Sequence, residues 1–114
     1  MNGFAKRQQS AEELLGVVRT AIRERRPIGA WYGGVRRLFC PHVLGCNQAG
    51  EYLVFSYQHG GESRSEPAPV PSAGIWRCFA LRKLSGVELL EGEWYTEPHA
   101  PQRCVEQVEI EAGV

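Results

Sequence analysis

The sequence predicts an α+β domain, mainly β, in which an N-terminal helix packs on a small, strongly bent β-barrel. Three observations carry that expectation. A capping motif opens one run of helical period near the start, and a two-residue period replaces it after Pro27. Glycines and prolines then break the extended runs at short intervals, as turns and bends of a small barrel require. The 114 residues suit one domain, able to bury roughly two-thirds of the surface that the unfolded chain exposes.

The helix is expected from Ala11 to Arg25. Ser10 and Glu13 have capping-box spacing, and Leu14, Val17, Val18, Ala21 and Ile22 recur on one face. Arg23, Arg25 and Arg26 suit the negative end of the helix dipole, and Pro27 forces an exit. A single apolar face implies a sheet to receive it.

In the first strand Ile28, Ala30 and Tyr32 alternate with Gly29 and Trp31, and Gly33-Gly34 reads as a tight hairpin turn. The second strand, from about Val35 to Leu44, contains Pro41, which cannot donate a ladder hydrogen bond and marks an edge, a bulge or a bend. A turn at Asn47-Gln48-Ala49-Gly50 leads to a third strand, Tyr52 to Tyr57, with Leu53, Phe55 and Tyr57 opposite Tyr52, Val54 and Ser56. Both of its faces are apolar, so both should be covered. Residues Gly60 to Gly74 are rich in Gly, Ser, Glu and Pro and read as a loop. The fourth strand, Ile75 to Leu81, sets Ile75, Arg77, Phe79 and Leu81 against Trp76, Cys78 and Ala80. Val87 to Leu90 reads as a fifth strand or a helical turn, and Cys104 to Ile110 as an edge strand with Val108 and Ile110 inward. Residues 1–10 are expected to be a flexible lead, 11–98 the domain, and 99–114 a tail or edge strand.

Composition narrows the function classes. Hydrophobic residues make up 43% and charged residues 23% of the chain, values of an ordinary globular domain. The formal charge is zero, so an anion would have to be held by a local cluster such as Arg23, Arg25, Arg26, Arg36 and Arg37. No run approaches the roughly 20 apolar residues of a membrane span, and the first ten residues lack an apolar signal core. No membrane partner and a cytoplasmic location are therefore expected. Cys40, Cys46, Cys78 and Cys104 contain no Cys-x-x-Cys pair and are expected to be reduced thiols.

The order helix, strand, hairpin, bent strand, strand, loop, strand resembles the WYL domain, a small Sm-like or SH3-like barrel, over about Ile22 to Leu90. Tyr32 in Ile28-Gly-Ala-Trp-Tyr32 looks like the tyrosine that ends that family's first strand. Arg37-Leu-Phe39-Cys-Pro41, with Leu44 after it, looks like its Arg-x-apolar-x-Pro motif. Arg77-Cys-Phe79-Ala-Leu81-Arg-Lys83-Leu84 is similar to its Arg-x-Phe-x-Leu-x-Arg-Ile run, with lysine for the usual arginine. Glu51-Tyr52-Leu53 keeps the tyrosine and leucine of the naming tripeptide but not the tryptophan, and only one helix precedes the barrel where family members carry a winged helix-turn-helix. The resemblance implies a sensor of negatively charged ligands, with Tyr32, Arg37, His42, Arg77 and Lys83 as ligand-binding candidates.

The residues allow the same chemistry independently. Guanidinium groups form bidentate bonds to phosphate, and Tyr or Trp faces stack bases. Arg36 and Arg37 point to opposite faces of a strand, and parity with Phe39 puts Arg37 on the motif face, the alternative being a solvated turn. Arg77 in an apolar row needs a carboxylate, a carbonyl or a ligand, with Glu88 a possible salt-bridge partner. Trp31-Tyr32 reads as packing against the helix before it reads as a stacking platform.

Cys40, His42 and Cys46 suggest zinc by residue type, but their spacing is not a common zinc pattern, and no metal is expected. His42 or His59 beside Cys40 or Ser56 would be the raw material for a nucleophile, yet no motif supports catalysis. The expectation is a non-enzymatic module without cofactor, binding an anionic small molecule or single-stranded nucleic acid and passing its state to a protein partner or a second copy. The rival is a protein-interaction barrel with structural arginines.

Overall fold

A computed structural model describes residues 9–61 and 74–113 of the chain. Helix α1 spans Ala11–Glu24, and six antiparallel strands follow: β1 Ile28–Tyr32, β2 Val35–Cys46, β3 Tyr52–Gly61, β4 Ile75–Ala80, β5 Leu84–Leu89 and β6 Gln107–Glu111. A single 3-10 turn, Leu81–Lys83, joins β4 to β5. The expected loop falls outside the described residues from 62 to 73, as does the expected N-terminal lead from 1 to 8, while Gly60 and Gly61 belong to β3.

The capping box is complete. Ser10 Oγ accepts from the Glu13 amide at 3.1 Å, and the Glu13 carboxylate accepts from the Ser10 amide at 3.1 Å. At the other end Arg25 adopts a left-handed conformation, φ 54°, which closes the helix ahead of Pro27. The β1–β2 hairpin pairs Tyr32 with Val35 and leaves Gly33 and Gly34 as a two-residue loop, both at positive φ. That geometry matches the right-handed twist of the flanking strands, and glycine adopts it without a Cβ clash.

The strands run in the order β4-β3-β2-β1-β5. β1 thus lies between β2, the strand that follows it, and β5, which returns past the β1–β4 meander, and the chain is α+β, mainly β, as expected. β2 is long enough to serve two partners along one side. Val35 to Phe39 pair with β1, and Val43 to Cys46 pair with β6.

Two apolar clusters form on opposite sides of the sheet. On the first, Leu14, Leu15, Val18, Ala21 and Ile22 of α1 cover Ile28, Ala30, Phe39, Leu44, Val54 and Phe79. Phe79 is central: its ring lies 4.6 Å from Phe39 and 4.8 Å, edge-on, from Tyr32. On the second, Val43, Phe55 and Val105 pack with Leu53, Trp76 and Cys104. Residues 90–106, which have no regular helix or strand, lie across this second side as a strap. Alternation in β3 therefore divides Val54 from Leu53 and Phe55 as expected, and the strap supplies the cover that two apolar faces demanded.

Two expectations are corrected. Cys78 and Cys104 are joined by a disulfide, leaving Cys40 and Cys46 as free thiols. Twenty-six residues separate the pair in sequence, and the strap alone brings Cys104 over β4. Val108 is 48% exposed, whereas Ile110 packs against the main core. The register explains the split: Leu44 pairs with Ile110 but Gly45 with Val108, so Glu109 is an extra residue that reverses the parity of β6. Glu109 meets Arg19 of α1 at 2.6 Å instead.

Candidate functional site

Among the expected site residues, Tyr32 and Arg37 meet directly. Arg37 is 5% exposed, with its guanidinium carbon 5.8 Å from the centre of the Tyr32 ring. Its Nη1 donates to Gln58 Oε1 at 3.3 Å and its Nη2 to the Tyr32 carbonyl at 3.4 Å. Tyr32 spans the same side of the sheet, its ring on Phe79 and its hydroxyl accepting from the Ala80 amide at 3.3 Å. Arg37 is therefore a fixed cation in the wall of the main core, not part of a solvated turn.

Arg77 is half-buried and pairs in register with Ser56, two residues from Gln58. Strand alternation places it on the side of Phe79, the side that Arg37 and Gln58 also face. Ser56 and Gln58, both fully buried, complete a polar stripe between the two arginines that the residue patterns had not singled out. The signal was present in β3, where these two polar residues continue the inward row that begins with Tyr52 and Val54.

Lys83 and His42 stand apart. Lys83 is exposed at the end of the 3-10 turn. His42 belongs to the opposite side of the sheet, where it packs against Trp76 and against Trp94 of the strap, with ring centres 4.7 and 4.6 Å away. Of the basic side chains expected to gather, Arg36 is drawn off into an ion pair with Glu88 at 2.6 Å, Arg26 into pairs with Glu24 and Glu91, and Arg25 donates to the Gly113 carbonyl. Glu88, the carboxylate considered for Arg77, is thus bonded to Arg36.

On the strap side the chemistry is that of histidine and aromatic rings. His42 Nδ1 lies 2.8 Å from the Cys40 carbonyl, and its Nε2 is buried with no hydrogen-bond partner. Burial pushes its pKa below the usual histidine value, partly offset by the Cys40 carbonyl, and His99 and Arg25 lower it further. His59 packs against Tyr95 with tilted rings, centres 4.7 Å apart, its Nε2 is likewise buried without a hydrogen-bond partner, and burial lowers its pKa too. Burial of the Cys40 thiol pushes its pKa up to about 11, with a small opposing effect of the Tyr95 amide, which donates to its sulfur at 3.3 Å. That is the reverse of the shift that activates a nucleophilic cysteine. Among the described residues no three His, Cys, Asp or Glu side chains are grouped so as to hold a metal ion.

A cleft of about 590 Å³ opens beside His42, walled by Trp94, Glu97 and His99 of the strap, Glu111 of β6 and Arg25 at the helix end. A second, of about 600 Å³, lies between the start of α1, the β2–β3 turn and the 3-10 turn, with Leu14, Tyr52 and Leu81 as its apolar floor and Arg82 and Glu51 at its rim. No described helix is long and apolar enough to cross a membrane. Comparison of the chain with protein-family models, curated proteins and solved structures gives no significant match.

Proposed function

We propose that this chain is a non-enzymatic binding module for a small anionic ligand, a nucleotide or a short single strand, held on the side of the sheet that carries Arg37 and Arg77. One observation supports this above the others: two arginines from β2 and β4 face one side, with Gln58 and Ser56 between them and the Tyr32 ring beneath Arg37. Arg37 would act as the pre-set cation and Arg77, less buried, as the one that adapts to phosphate. Lys83 is exposed on the adjoining 3-10 turn and would add charge at the rim. The WYL-like motifs support the same residues and suggest a regulatory role, with the bound state passed to a protein partner or a second copy. The proposed setting is the cytosol, where the Cys78–Cys104 pair would be open to reduction.

A second reading has its own support. Arg37 is engaged within the fold by Gln58 and the Tyr32 carbonyl, as expected of a structural arginine in an adaptor that recognises proteins through an edge such as β6. Titration with nucleotides and short oligonucleotides at two ionic strengths separates the two. The anion reader binds, weakens as salt rises, and loses affinity in Arg77→Ala while retaining part of it in Arg77→Lys. A folded chain indifferent to every anion at both ionic strengths rejects the first reading and leaves the adaptor.

A further inference from the structure

The chain has three histidines, and all three sit where the strap meets the sheet. Among the described residues, four ring contacts that cross this boundary each pair a histidine with an aromatic ring. His42 of β2 meets Trp94, His59 of β3 meets Tyr95, and His99 of the strap meets Trp76 at 4.4 Å and Phe55 at 4.9 Å. Moreover, His42 and His59 are the extra residues of the two bulges in the β2–β3 ladder. Pro41 pairs with Ser56 but Val43 with Phe55, which leaves His42 over, and Leu38 pairs with Gly60 but Phe39 with Gln58, which leaves His59 over. Bulges aim these side chains out of the regular pleat and into the boundary.

We propose that the strap is an acid-released cover: protonation of His42 and His59 lifts residues 93–99 from the sheet and exposes the aromatic face of Phe55, Tyr57 and Trp76. Each imidazole presents a buried Nε2 with no hydrogen-bond partner. A proton added there places a charge in an apolar contact that offers it no hydrogen bond, and lifting the strap returns the ring to water.

The groups around each ring are consistent with this. His42 faces Arg25 from the end of α1, Glu97 and His99 from the strap and Glu111 from β6, and neither carboxylate bonds to its Nε2. Its own strand contributes the Cys40 carbonyl at Nδ1, which is already satisfied by the neutral ring. His59 meets Tyr95 from the strap, and the residues of β2 opposite its bulge, Leu38 and Phe39, are uncharged. The lowered pKa of both rings agrees with a closed form that excludes the proton.

The strap stays tethered when it lifts. The Cys78–Cys104 disulfide and the pairing of β6 with β2 hold its far end, and Leu90 N–H bonded to the Pro27 carbonyl at 2.9 Å holds its near end. Motion is thereby confined to the segment between these anchors.

The full ¹⁵N-labelled chain, titrated from about pH 7.5 to about pH 5, tests the proposal by NMR. The Trp94 indole and Tyr95 amide should move to solvent-exposed positions in one transition involving more than one proton. Exchange of the Tyr95 amide, corrected for the intrinsic pH effect, should rise roughly tenfold or more while β1 and β5 remain protected. A His42→Phe/His59→Phe double variant should stay closed at the low pH. A wild-type strap that remains closed throughout, or that opens only together with β1 and β5, overturns the proposal, and so does a folded double variant that opens as the wild type does. The wild-type titration decides by itself if the variant does not fold.

Discussion

His42 and Cys40 are joined through a single contact, the ring Nδ1 lying 2.8 Å from the Cys40 carbonyl oxygen. Because a carbonyl only accepts, the neutral ring must keep its proton on Nδ1, and Nε2 is left as a buried lone pair. His42 is therefore held as a neutral ring, and the sulfur of Cys40 is not its partner.

This geometry predicts a pH dependence with a definite sign. The folded pKa values of His42 and His59 lie below the ordinary histidine value that the unfolded chain has. Their stabilisation is complete above that ordinary value of about 6.5 and declines as pH falls through it toward the folded values, because the unfolded form takes up protons there more readily than the closed fold. Urea denaturation should give a lower midpoint at about pH 5.5 than at about pH 7.5, and Phe at both positions should flatten the difference.

Arg36 and Arg37 are neighbours with opposite fates, and alanine at each should separate them. Arg36→Ala removes a partly exposed ion pair with Glu88 and should cost less than about 1 kcal/mol. Arg37→Ala removes a buried cation bonded to Gln58 and the Tyr32 carbonyl, and should cost about 2–3 kcal/mol in the same denaturation assay.

The cysteines should divide under alkylation. With the disulfide intact, Cys46 is expected to react well before Cys40, whose thiol is buried and has a pKa raised to about 11. Reducing Cys78–Cys104 should lower stability by about 2–4 kcal/mol, since the bond closes a long loop of the unfolded chain. Mass spectrometry of labelled peptides and denaturation with and without a dithiol reductant measure the two effects.

Gly45 is required by close approach. A Cβ there would run into the Gln107 carbonyl of β6 and the Val105 side chain of the strap. Gly45→Ala should therefore destabilise by about 1–3 kcal/mol and loosen β6 from β2, seen as loss of protection at Glu106 and Gln107 amides.

Much of the fold follows from local chemistry that can be read in order. The capping box at Ser10 and Glu13, the αL exit before Pro27, and the Gly33-Gly34 hairpin all arise from residues within a few positions of one another. Strand alternation likewise anticipated that Phe79 and Arg77 share a side and that Phe55 and Val54 do not. For the candidate site, parity placed Arg37 with Phe39 and Arg77 with Phe79, and the structure brings both phenylalanines into one core. Ser56 and Gln58 escaped it, because both faces of the third strand looked apolar and nothing local told which one turned inward.

Parity failed in β6, where a bulge intervened. His42, His59 and Glu109 are each one residue too many for their partner strand, and a single extra residue reverses every side chain beyond it. Period alone does not reveal such a register shift, because it depends on the strand opposite.

The sequence by itself determined a helix and a set of short antiparallel strands with their turns, since period, capping and turn chemistry act over short distances. Only the tertiary structure decided that residues 90–106 cross the second face, that Cys104 reaches Cys78, and that three histidines meet the aromatic rings there. Those contacts join residues far apart in the chain. They form because an apolar sheet face must be covered, a demand that composition announces without saying which segment will meet it.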